Sequence, residues 1–104
     1  MEIDVSGGID VAGFHYSVEC DVSAQEACYA SGNLGQCSPS RLKIEIDTRI
    51  HRDRISETFI HETLEAVKEH YDKSLSHETL EKISEGLYQA LKSLGINFVI
   101  KKGG

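Results

Sequence analysis

The spacing of apolar residues changes period near residue 50. Before it, apolar and polar positions alternate. Ile3 and Val5 are interleaved with acids, Ser6-Gly7-Gly8 breaks the run, Ile9 and Val11 follow, and Ala12-Gly13 marks a second turn or bulge. Phe14, Tyr16, Val18 and Cys20 alternate with His15, Ser17 and Glu19, the pattern of a strand with one face buried. Residues 23–40 are small and polar and hold Gly32, Gly35 and the only proline, Pro39. They predict a long excursion carrying a short hairpin, 28–30 against 34–37. Leu42, Ile44 and Ile46 then alternate with Lys43, Glu45 and Asp47 in the clearest strand of the chain.

After residue 50 the period becomes helical. Phe59, Ile60, Thr63, Leu64, Ala66, Val67 and Tyr71 fall in one arc of a helix running from about Asp53, its expected N-cap, to Tyr71. A second helix is predicted from His77 to Leu94. Ser76 caps it, Glu78 sits in its first turn, Gly95 stops it, and Leu80, Ile83, Leu87, Ala90, Leu91 and Leu94 form its stripe. Residues 96–100 read as a last short strand and 101–104 as a frayed tail. The sum is a single domain over 1–104 of α+β class, a small antiparallel sheet packed against two helices.

Composition narrows the function. The chain has 104 residues, 39% hydrophobic and 27% charged, an ordinary globular balance. Eleven Lys and Arg face seventeen Asp and Glu, a net charge of −6 that disfavours nucleic-acid and anionic-membrane partners. No apolar run approaches the ~20 residues of a membrane span. An acidic, alternating start is unlike a signal peptide, and three cysteines, Cys20, Cys28 and Cys37, are an odd set that fits reduced thiols. The expected location is therefore the cytoplasm. A metal knuckle of these cysteines with His15 lacks any C-x-x-C spacing, so they read as small apolar residues on strands.

The candidate chemistry sits on the helices. One pentapeptide occurs twice, His61-Glu62-Thr63-Leu64-Glu65 and His77-Glu78-Thr79-Leu80-Glu81. Each copy sets a His and a Glu four apart on one helical face, where an imidazole nitrogen and a carboxylate oxygen can reach one ion. The residue after the His points about 100° away, where it can hold a base beside the ion without binding it. The plain alternative is a solvated face, with Glu65 and Glu69 paired to Lys68 or Arg54. His61 and Glu65 lie about 120° from the centre of the apolar arc, so a site there needs a second element over it. The helix that begins at His77 can supply one. His70 reads as a helix-end histidine facing water. Tyr88 falls near His77 on the wheel, but three turns away. Ser6-Gly7-Gly8 lacks the following G-K-[ST] of a phosphate loop, and His51-Arg52-Asp53-Arg54 reads as a solvated helix approach.

From Arg41 to Leu94 the chain resembles small phage- and prophage-encoded zincin-like proteins, distant relatives of SprT-like and ImmA/IrrE-like metallopeptidases. The matching stretch is a strand of Lys43-Ile44-Glu45-Ile46-Asp47 type, then Glu57-Thr58-Phe59-Ile60-His61-Glu62 leading into Glu65-Ala66-Val67. A leucine-and-acid helix follows from Leu75-Ser76-His77 to Gly86-Leu87-Tyr88-Gln89-Ala90-Leu91. Residues 11–18 also look like the family's opening. The common family motif is H-E-x-x-H with a later glutamate. Here Glu65 stands at the second His position and His77 at the Glu position, so the inventory of two His and one Glu is kept. The resemblance implies one zinc ion held by His61, Glu65 and His77, with Glu62 as general base on a water at the open fourth position. It implies a peptidase acting on a protein or peptide substrate, with an exposed strand at 42–46 as template. Two readings stay beside it: a metal-stabilised interaction module without turnover, and a metal-free α+β protein that binds through a strand edge.

Overall fold

The computed structural model describes residues 1–101. The α+β class holds, with three helices rather than two and a sheet of mixed direction. In chain order the elements are β1 (Glu2–Asp4), β2 (Ile9–Val11), β3 (Phe14–Glu19), α1 (Val22–Ser31), β4 (Gly35–Ser38), a 3-10 turn (Pro39–Arg41), β5 (Lys43–Ile46), α2 (Arg52–Tyr71), α3 (His77–Ser93) and β6 (Asn97–Val99). Four strands form one sheet in the order β2-β3-β5-β4, while β1 and β6 pair in parallel beside it.

The sheet departs from the expected antiparallel arrangement at its centre, where β3 and β5 run parallel, Val18 opposite Ile44. A parallel pair requires a long crossover, and residues 20–42 are that crossover. Their middle is α1, not half of a hairpin. The Asp21 carboxylate accepts the Ala24 N–H at 2.8 Å and caps its start, and Gly32, at φ +74°, closes its end. Only Ala24 and Cys28 of this helix are buried, so it carries almost no apolar stripe for a periodicity to reveal. β4 covers most of the second predicted hairpin segment but pairs antiparallel with β5 instead.

This ordering moves the sheet edge. The strand at 42–46 was the expected exposed template; β5 is instead interior, with Ile44, Glu45 and Ile46 all buried. Glu45 is tolerated there because Gln36 Nε2 donates to its carboxylate at 2.9 Å and Lys43 Nζ stands 3.6 Å away. The open edge next to the helices belongs to β4.

The core joins Val5, Val11, Tyr16, Val18, Ile44 and Ile46 of the strand region to Phe59 and Ala66 of α2. The Tyr16 hydroxyl is satisfied by His70 Nε2 at 2.6 Å, and the His70 ring stacks on Phe14 at 5.2 Å. His70 is thus a half-buried partner of the core, not a water-facing helix end. The basic approach to α2 is spent on internal pairs. His51 Nδ1 accepts the Asp53 N–H and is the true N-cap, Arg52 pairs with Glu2, Asp53 with Lys92, and Arg54 with Glu57. Lys101, expected in the frayed tail, is tied to Asp4 through its N–H and to Glu2 through Nζ; residues 102–104 lie outside the described residues. Among the described residues no helix is long and apolar enough to cross a membrane.

Helix α3 starts at the predicted Ser76 cap, whose hydroxyl accepts the Thr79 N–H, but its fully buried residues, Leu80 and Ser84, both lie in its first half. Leu80 is completely buried, whereas Ile83, Leu87 and Leu94 of the same stripe are exposed. The start of α3 is therefore the part held in register with α2. Leu80→Ala is expected to cost about 2–4 kcal/mol and Leu87→Ala about 1 kcal/mol or less, read as the shift in urea unfolding midpoint. Equal losses at the two positions would show that α3 is seated along its whole length.

Candidate metal centre

The register of α3 on α2 brings the two identical pentapeptides face to face. His61 and Glu65 lie one turn apart on α2, and their side chains approach to 3.6 Å, Nε2 to Oε1. From the first residue of α3, His77 directs Nδ1 to the same Glu65 oxygen at 3.5 Å. The two imidazoles meet edge to face with centroids 5.7 Å apart. One donor atom from each of His61, Glu65 and His77 lies within 4.8 Å of the others. Ligand bonds of 2.0–2.2 Å at tetrahedral angles imply donor separations of roughly 3.4 Å, close to the two short distances here. The donor set, two neutral-capable imidazoles and a carboxylate, is one that zinc accepts.

Three further residues complete the site. Glu81, the last residue of the second pentapeptide, stands 3.4 Å from His77 Nε2, the nitrogen turned away from Glu65. A carboxylate on the far nitrogen is the usual means of fixing a metal-ligating imidazole. Gly35 of β4 lies against α2, and a Cβ there would fall 2.4 Å from Thr58 Cγ2 and 3.3 Å from Glu62 Cγ. Its missing side chain is what lets the edge strand close over Glu62. Cys37, two residues along the same strand, lines the cavity with His61, Glu62, Glu65 and His77. Its thiol is pushed up to about 12, first by burial and then by the field of Glu62, Glu65 and Glu69, so it stays protonated and un-ionised.

Glu62 is the buried carboxylate beside this cluster. It is 8% exposed and has no hydrogen-bond partner among the described residues. Burial, reinforced by the neighbouring Glu65 charge, raises its pKa from 4.5 to about 7. A carboxylate buried beside a second carboxylate is electrostatically costly and is relieved by a nearby cation.

The sequence-derived set is thus brought together: His61, Glu65 and His77 meet, and Glu62 lies beside them. The solvated-face alternative places its pairs wrongly. Glu65 faces two histidines, Glu69 pairs with Lys73, and Arg54 pairs with Glu57. Tyr88 is away from the site, with Lys92 Nζ 5.7 Å over its ring. His15 bonds Asp10 at 2.7 Å and joins no cysteine cluster among the described residues. From the sequence Glu81 was paired with His77 but given no place at this centre, and Gly35 and Cys37 were not placed there. Glu81 had a signal, the i+4 spacing from His77; for the strand residues the contact with α2 is purely tertiary. Comparison with known protein families, with curated proteins and with solved structures finds no match to this chain.

The Glu62 environment predicts a pH dependence for the metal-free protein. The folded chain retains a proton that the unfolded chain has released, so the associated stability is complete below pH 4.5 and is lost as pH rises through about 7. Glu62→Gln keeps the shape without the charge. Chelator-treated wild type and variant should unfold alike at pH 4.5, and at pH 8 the variant should be more stable by on the order of 2–3 kcal/mol in urea. Equal stability at pH 8 would remove the buried charge from the account.

Proposed function

We propose that this protein is a zinc-dependent peptidase of zincin-like type, with His61, Glu65 and His77 as the metal ligands and Glu62 as general base. The observation that carries the reading is the convergence of one carboxylate oxygen and two imidazole nitrogens, from two helices, at 3.5–3.6 Å. The buried and unpaired Glu62 beside them is the second support. Zinc, when bound, would supply a Lewis acid that polarises a scissile carbonyl and lowers the pKa of water. Glu62 is set to take a proton from the attacking water as its oxygen bonds to the carbonyl carbon. It returns that proton to the amide nitrogen as the C–N bond breaks. Its raised pKa suits both transfers near neutral pH. The open edge of β4, rather than β5, is the strand available to an extended peptide beside the site. The swap of imidazole and carboxylate between the helices leaves ligand charge unchanged, so the electrostatics of the site resemble those of the common motif.

A second reading draws on α3, whose outer apolar stripe is exposed. An ion shared between Glu65 and His77 would pin this helix to α2, as in a metal-stabilised interaction module without turnover. Both readings expect about one zinc per chain in protein purified without chelator, reduced at least tenfold in His61→Ala and His77→Ala. They part on Glu62→Gln. A peptidase should retain zinc and lose about 100-fold or more of its cleavage of a peptide library. A stapled module should lose melting temperature on chelation and cleave nothing, whatever stands at 62. Wild-type zinc content with full cleavage in Glu62→Gln would sink the assigned base.

A further inference from the structure

A larger cavity, of about 330 Å³, adjoins the candidate metal centre, with His61 and Glu62 in the wall they share. We infer that it receives a cationic side chain, lysine or arginine, from a bound peptide, an assignment that deepens the peptidase reading by naming the residue its substrate carries. Four carboxylates line the cavity, Glu57, Glu62, Glu81 and Glu85, against one guanidinium, Arg54. Arg54 is engaged with Glu57 at 3.6 Å, and Glu81 with His77 at 3.4 Å. Glu62 and Glu85 have no ionic partner among the described residues.

Acidity alone does not define a guest. The second observation is that two polar side chains are buried here with their bonding capacity unused. Glu62 is 8% and Ser84 is 2% exposed; both line the cavity, and neither side chain has a hydrogen-bond partner among the described residues. An apolar guest would seal both groups off unsatisfied, at a cost for each. An anionic guest would meet the carboxylates. An ammonium brings three donors and no acceptor, and a guanidinium five. Either fits a wall in which four carboxylates outnumber the one guanidinium. The cavity is at the small end of ligand-pocket sizes, which suits a single side chain rather than a cofactor.

The test uses blocked tripeptides, acetyl-Ala-X-Ala-amide, with X as lysine, arginine, norleucine or glutamate. Each is titrated into the whole ¹⁵N-labelled chain at low salt, with and without one equivalent of zinc. The lysine and arginine peptides should shift the Asn33, Gly35 and Ser84 amides and bind at least tenfold tighter than the norleucine and glutamate peptides. Glu85→Gln, an exposed change that leaves the candidate metal ligands and base untouched, should shrink that preference at least threefold, as should 0.5 M salt. Glu78→Gln, on the same helix but paired to Lys82 and outside the cavity, should preserve it. Equal binding of lysine and norleucine peptides overturns the assignment. So does an equal loss in Glu78→Gln, because the preference would then report only the overall charge of the chain. Zinc content of the same samples keeps the two ideas apart. A lysine preference in protein that takes up no zinc rejects the metal centre and keeps the cavity assignment; stoichiometric zinc without a lysine preference does the reverse.

Discussion

Glu65 is shared. One of its oxygens faces an imidazole from its own helix and another from the start of the next, while the buried Glu62 stands one turn before it on α2. The two carboxylates repel, and burial denies Glu62 the water that would otherwise absorb the cost. Such an arrangement persists in a fold of 104 residues only because other contacts over-determine it. Phe59 and Ile60 anchor the helix immediately before His61, and Ala66 anchors it immediately after Glu65. Leu80 fixes α3 one turn after His77. The charged cluster is held by apolar residues that flank it in the chain.

The strand side of the site obeys the same logic. β4 is short, lies at the sheet edge and meets α2 through Gly35, where even a methyl group would collide with Thr58. This close approach is what buries Glu62. It also explains why the Cys37 thiol resists ionisation, since burial comes first and the fields of Glu62, Glu65 and Glu69 add to it. The geometry of the donors is thus set by α2 and α3, and the dielectric around them is set by β4.

The helices that carry the His/Glu cluster were legible because a 3.6-residue apolar period survives whatever charged residues occupy the polar face. Ser76, Gly95 and the i,i+4 spacing of His61 and Glu65 could all be read from the chain. The limits elsewhere have physical causes. Alternation in β3 and β5 reports a buried face but not the direction of the neighbouring strand, so the parallel pairing was hidden. Glu45 gave β5 a half-exposed pattern, although Gln36 and Lys43 satisfy it inside the sheet. Helix α1 is rich in small residues, only two of which are buried, and its caps, Asp21 and Gly32, were its local signals. Most of the α3 stripe implied burial, yet only its first turns reach the core. A periodic stripe says that a helix has an apolar face, not that this chain covers it. The wheel offered the helix that begins at His77 as a cover for His61 and Glu65, but His77 as the third ligand came from the family resemblance, because no local pattern fixes the packing of one helix on another.

Charge links the candidate centre to the cavity next to it while leaving them separable. A divalent cation at His61, Glu65 and His77 would offset the negative charge of Glu65 and Glu62 nearest to it. Glu85 lies on the other side of the shared wall, among the residues of the larger cavity alone, and would keep its field. Binding of a dication depends on donor atoms placed within a few tenths of an ångström, and one lost imidazole is enough to abolish it. Recognition of a basic side chain depends on a summed field and on unused acceptors, and it weakens by degrees as carboxylates are removed or salt is added. A site built this way is steep in its response to change at the ligands and gradual in its response along α3. That difference gives the two halves of the cleft distinct physical signatures, though one helix face supplies residues to both.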